Sequence, residues 1–169
     1  MRRALTLFGT LLLLWVLVAQ VNHLLSLWRC YVFVGGLFVA YAALTQPLRP
    51  GLAATLLGGL LCDANTPVLF GTHLLLFSAT HLTIFHGRDR VPRDDTIGRV
   101  VVALFANLAL LLAFSFAQFG RSPAPGSIWP RLIMDLVVSQ VFLTLVAPWF
   151  FALQARALVL ARAERETLA

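Results

Sequence analysis

The chain has 169 residues, 60% of them hydrophobic and 12% charged, with a mean hydropathy of +0.87. Soluble domains hold roughly 45–50% apolar residues, so a water-soluble fold is excluded, and intrinsic disorder with it. The net charge of +6 would suit nucleic acid, but apart from His every basic residue is Arg, and most lie beside the ends of apolar runs, which membrane topology explains better.

Met1-Arg2-Arg3 precedes an apolar run from Ala4 to Val21. It has the outline of a signal peptide, but Leu17-Val18-Ala19-Gln20 is a poor small-x-small cleavage site, so the run is predicted to stay as a membrane helix. Cys30 to Thr45 forms a short second run. Gly51 to Cys62 is only 12 residues, about 18 Å of helix, so it either continues past Asp63 toward Thr66 or is re-entrant. Val68 to Phe85, Val100 to Phe119 and Leu132 to Leu153 complete the set, followed by a helical tail over residues 153–169. Pro123-Ala124-Pro125-Gly126 reads as a stiff turn.

Arginine placement chooses between topologies. Six crossings from a cytoplasmic N-terminus put Arg2, Arg3, Arg49, Arg88, Arg90, Arg93, Arg99, Arg156, Arg162 and Arg165 inside and only Arg29, Arg121 and Arg131 outside. Without the third crossing, the better orientation gives eight inside and five outside. The predicted fold is therefore all-α, a single integral membrane domain (1–169) of six transmembrane helices with a cytoplasmic tail; the alternative is five spans with a re-entrant segment. The mixed-sign loop Gly87 to Arg99 reads as a solvated connector at the anionic leaflet, with docking of a cytoplasmic partner as the alternative.

Asp63 is the most informative residue, because a carboxylate at the end of an apolar helix needs a partner or water. Six spans bring Arg29, Asp63, Arg131 and Asp135 near the outer surface, with Arg131 and Asp135 spaced i, i+4. The bland reading is that Asp63 caps or ends its helix while Arg131 and Asp135 snorkel to the interface. Asp63 and Gly71 are expected to define a helix–turn–helix joint, since Asp, Asn, Thr and Pro interrupt two apolar helices there. Helical steps of 8 and 5 residues scatter His73, His81 and His86 over different faces, so they predict interhelical hydrogen bonds for His73 and His81, not a metal site. Ser78, Ser115 and Ser139 lack elbow glycines, and phosphate-cradling loops are missing, so no catalytic set, cofactor or metal is expected.

Small residues form rows: Gly51, Thr55 and Gly59; Ala54, Gly58 and Cys62; Gly36 and Ala40. They permit close helix approach, either within the bundle or to a partner helix. Cys30 and Cys62 both fall near the outer face, and two buried thiols are favoured over a disulfide.

The stretch Gly58-Gly59-Leu60-Leu61-Cys62-Asp63, a turn, and Gly71 eight residues after the Asp resembles the rod shape-determining protein MreD family. The last span, with Pro148-Trp149-Phe150-Phe151 and then Arg156, is similar to the family's final helix and basic tail. The chain departs from the family pattern at Pro67, where members usually carry Gly. The resemblance implies a noncatalytic subunit of the bacterial inner membrane, N and C termini cytoplasmic. It would bind an MreC-like bitopic protein and, indirectly, help regulate RodA, a class B penicillin-binding protein and MreB in peptidoglycan synthesis and rod shape. It also implies a fold similar to the substrate-binding subunits of energy-coupling-factor vitamin transporters, and that activity is the alternative. Trp28, Tyr31, Asp63, Trp129 and Asp135 would line an outward pocket for it, or form an aromatic belt with interfacial charges.

Overall fold

The computed structural model describes residues 2–66, 69–90, 96–119 and 128–166. They form six α-helices: α1 (Arg2–Leu25), α2 (Gly35–Thr45), α3 (Leu48–Asn65), α4 (Thr72–Gly87), α5 (Thr96–Phe119) and α6 (Ile128–Glu166). Short 3-10 turns, Ser26–Trp28 and Arg88–Arg90, follow α1 and α4. The boundaries follow local chemistry. Arg29 adopts a left-handed conformation (φ 55°) that ends the turn after α1. Pro47 cannot continue α2 and sets the entry to α3, where Pro50 falls in the first turn and removes a donor the helix does not need. Gly71 (φ 95°) makes the left-handed entry to α4 that favours a residue without Cβ.

Among the described residues three stretches are long and apolar enough to cross a membrane: Thr6–Trp28, Thr96–Ala117 and Trp129–Ala157. The helices form a closed ring in the order α1, α3, α4, α5, α6, with α6 returning to α1, and α2 fills its centre against α3, α4, α5 and α6. That position suits its composition, since Gly36 to Ala43 are all buried and a helix apolar on every side must be surrounded. Residue pairs give the directions. Phe33 with Ser139 and Tyr41 with Phe150 run α2 parallel to α6, whereas Gly36 with Asn107 and Phe33 with Phe114 run it antiparallel to α5. Asp63 with His73 and Thr55 with His81 make α3 and α4 antiparallel.

Large apolar side chains stand exposed on all five ring helices, among them Leu13, Leu57, Leu75, Phe105 and Val141, while the buried polar residues Thr55, Asp63, His73, His81, Asn107, Ser139 and Gln154 face inward. Polar-in, apolar-out is the pattern lipid selects.

The expected runs shift in three places. Residues Tyr31 to Val34 are not helical, so the second run holds only the 11-residue α2; four polar side chains capture the backbone just before it. The third run is α3, 18 residues that continue past Asp63. The fourth starts later, at Thr72, because Asp63 fixes the start of α4. Pro67 and the turn Pro123 to Gly126 lie outside the described residues.

Candidate functional site

Two polar constructions occupy the same end of the bundle. The first is the joint between α3 and α4. Asp63, 5% exposed, directs its carboxylate at the first turn of α4: Oδ2 accepts from the Gly71 N–H (3.0 Å) and the Leu74 N–H (3.2 Å). Oδ1 accepts from the His73 N–H (2.9 Å) and lies 2.9 Å from its ring Nδ1. Asp63 therefore does the work of an N-cap from the preceding helix. Its charge sits at the positive end of the α4 dipole and satisfies amides that α4 leaves open. The His73 ring stacks on Phe114 (centroids 4.2 Å) and meets Phe77 edge-on, tying the joint to α5. The predicted outer cluster of four charges does not assemble around Asp63, because backbone N–H groups and His73 take the place of arginine. Arg131 and Asp135 do approach, at 3.9 Å, with Arg131 largely exposed, an arrangement worth little by itself.

The second construction is the unwound segment before α2. Asn22 of α1 grips Val32 on both sides, accepting from its N–H (2.7 Å) and donating to its carbonyl (2.9 Å). Asp135 accepts from the Tyr31 N–H (2.8 Å) and Ser139 from the Phe33 N–H (3.0 Å). Asn107 of α5 donates to the Phe33 carbonyl (2.8 Å) and accepts from the Gly36 N–H (3.1 Å). Side chains from α1, α5 and α6 thus replace the ladder that a strand would offer, as non-helical backbone away from water requires.

The small-residue rows are used inside the bundle. A Cβ at Gly36 would lie 2.2 Å from the Asn107 backbone nitrogen, one at Gly59 2.7 Å from the Leu74 Cα, one at Gly58 2.4 Å from the Leu11 side chain, and one at Gly51 2.9 Å from the His81 ring. Ala40 is fully buried on α2. Thr55 donates to the Gly51 carbonyl (2.8 Å) and so receives the His81 Nδ1–H at 3.0 Å, the interhelical bond expected of that histidine. His86 turns back to the Leu82 carbonyl of its own helix. Among the described residues no group of three or more His, Cys, Asp or Glu gathers to hold a metal. Cys30 and Cys62 are free thiols, as expected over a disulfide, but each is half-buried and not buried. Pro148 lies within α6 on its exposed side.

The structure thus joins Gly59, Asp63 and Gly71 in one site and Arg131 and Asp135 in a second, and leaves Pro148 apart from both. Sequence reasoning missed Asn22 and Asn107. The available signal was an Asn inside, or just after, an otherwise apolar run, where an amide needs a partner. Matched against family models, curated proteins and solved structures, the chain finds no counterpart in any of the three.

Proposed function

We propose that this chain is a six-pass, noncatalytic subunit of a bacterial inner-membrane complex for cell elongation. In this reading it is MreD-like and binds an MreC-like bitopic protein, and through it helps regulate RodA, a class B penicillin-binding protein and MreB. The observation that carries the reading is the joint itself. Gly59, Asp63 and Gly71, the residues on which the family resemblance rests, act together there: Gly59 lets the α4 backbone close on α3, Asp63 caps α4, and Gly71 turns the chain.

Six crossings are supported by the alternation of helix directions. The 11-residue α2 rises about 16 Å by itself, so the non-helical Cys30 to Val34 before it supplies the rest of the path across a hydrocarbon core of about 30 Å. Cytoplasmic termini are supported by the arginines: Arg49, Arg88, Arg90, Arg99 and Arg156 gather at one end of the bundle and Arg29 and Arg131 at the other. The test is affinity purification of the full chain from its native membranes together with depletion in cells. The expected result is a co-purified bitopic coiled-coil protein and loss of rod shape; a complex without such a protein, or depletion that leaves shape intact, overturns the reading.

One observation favours a second reading. The broken second span resembles the discontinuous helices that build binding sites in transporters, in keeping with a fold similar to energy-coupling-factor substrate-binding subunits. Purified protein that retains a vitamin-like ligand in stoichiometric amount would favour it.

A further inference from the structure

The α4 helix ends in a stack of rings and charge. The His81 and Phe85 rings lie nearly parallel (13°, centroids 6.3 Å), and the Arg88 guanidinium lies over Phe85, 3.9 Å from its centroid. Arg88 Nη1 also donates to the carbonyl of Gln46, the buried residue that closes α2 (3.0 Å). Two contacts thus fix the plane of a fork of donors, and among the described residues only that one donor is used.

Arg49 stands exposed three residues after Gln46, at the start of α3, so two arginines border the turn between α2 and α3. Arg90, also exposed, closes the 3-10 turn that Arg88 opens. Like charges gathered at one turn repel, and no carboxylate answers them. Among the described residues Arg49, Arg88 and Arg90 form no ion pair, and the exposed Asp89 forms none either.

Apolar surface leads away from these charges. Leu75, Ala79, Leu82 and His86 are exposed at steps of 4, 3 and 4 along one seam of α4, and Leu57 and Leu60 are exposed on α3, its antiparallel neighbour. The start of α3 and the end of α4 share one end of the bundle, so the arginines stand where that surface stops.

We propose that Arg49 and Arg88 bind the phosphate of an anionic phospholipid whose acyl chains lie along the exposed seam of α4. An acidic peptide or a soluble phosphate would answer the charge but not the apolar strip beside it, whereas a phospholipid joins both chemistries in one molecule. An anionic headgroup is favoured over a zwitterionic one because three arginines face a single Asp89 there. Arginine suits the role, since its fork takes two phosphate oxygens at once, and Arg88 is already held in one orientation, so binding orders little more of it. The proposal requires that the chain sit in a bilayer and does not depend on the function proposed above.

Native mass spectrometry of the purified full chain, offered phosphatidylglycerol and phosphatidylcholine in equal amounts, tests it. Wild type is expected to retain phosphatidylglycerol in preference, and Arg88→Gln to lose that preference about tenfold, the equivalent of one charge-assisted contact. Arg49→Gln should lose it by a smaller factor, and Arg88→Lys, which keeps the charge without the fork, should fall between Arg88→Gln and wild type. Arg156→Gln removes an exposed charge from α6 at the same end and should keep the preference. Arg88 also supports Gln46, so melting in phosphatidylcholine is measured beside binding; Arg49→Gln, which loses no hydrogen bond or ion pair to a described residue, keeps the wild-type melting temperature there. Equal losses in Arg88→Gln and Arg156→Gln would reduce the effect to the general charge of that end. Equal stabilisation by millimolar inorganic phosphate would make the ligand a soluble anion, and a wild type without preference for phosphatidylglycerol would leave the arginines to a protein partner. Each of these three results overturns the proposal.

Discussion

Replacing Asp63 tests the α3–α4 joint most directly. Asp63→Leu removes the acceptor for three backbone N–H groups of α4 and for the His73 ring, all within 3.2 Å of the carboxylate. A buried donor left open costs about 1–3 kcal/mol, and loss of a charge at a helix N-terminus up to about 1 kcal/mol more. Rearranged neighbours recover part of that sum, so the expected local loss is about 4 kcal/mol. Asp63→Asn keeps one carbonyl oxygen but puts an NH2 opposite other donors, so two of the four contacts survive and the cost is about half. Hydrogen exchange resolves this at single amides: about 4 kcal/mol corresponds to roughly a thousandfold faster exchange at His73 and Leu74 in Asp63→Leu, with Asp63→Asn between that and wild type. Unchanged protection of those two amides in Asp63→Leu would refute the capping argument. Equal effects of Leu and Asn would show that charge, not the count of acceptors, holds the joint.

Gly36→Ala and Gly59→Ala force a methyl into neighbouring backbone at 2.2 and 2.7 Å and should each lower stability by about 2 kcal/mol or more, while Gly87→Ala, with open space around it, accumulates in membranes like wild type. Asn107→Leu strands the Phe33 carbonyl and the Gly36 N–H and should cost about 2–5 kcal/mol, read as loss of monodisperse protein on heating; Asn107→Asp, which keeps an acceptor for Gly36, should be milder. His81→Leu should stay within about 1 kcal/mol of wild type in the same assay, because Thr55 keeps its bond to Gly51 and the His81 Nε2 has no partner to lose. Reporter fusions after Arg90 and at Ala169 should be active only in the cytoplasm; periplasmic activity at either position contradicts the topology.

The outline of the bundle is readable in the sequence because lipid imposes it: apolar runs of membrane length and arginines at their ends need no knowledge of contacts. The joint is partly readable, since Asp63 and Gly71 bracket an interruption, but the carboxylate's choice of partner is not. The sequence offers Arg29 and Arg131 as counter-charges, and the fold supplies the amides of Gly71, His73 and Leu74. The unwound segment escapes for a related reason. Tyr31-Val32-Phe33-Val34 is as apolar as the helix after it, so no local signal marks the break; it is set by Asn22, Asn107, Asp135 and Ser139, which lie 10 to 108 positions away in sequence.

The same geometry separates two roles that small residues can play in a membrane. Gly36, Gly51, Gly58 and Gly59 each have neighbours under 3.0 Å from a virtual Cβ, so their close approaches are already taken up within the chain. A bulky substitution there perturbs the bundle before it perturbs any partner, and lost co-purification would report misfolding. Contacts between chains must instead use the outer faces of the ring, where lipid packs against Leu, Val and Phe as well as a protein does and hydrophobicity gives little preference. Preference there comes from what lipid cannot supply: a hydrogen-bond partner for an amide, or a surface that admits another backbone. A screen for partner-deficient variants that keep wild-type protein levels should therefore return substitutions on the outer faces of the ring and spare the glycines of α2 and α3. A screen that returned Gly36 or Gly59 variants with normal accumulation would mean that those rows open to a partner after all.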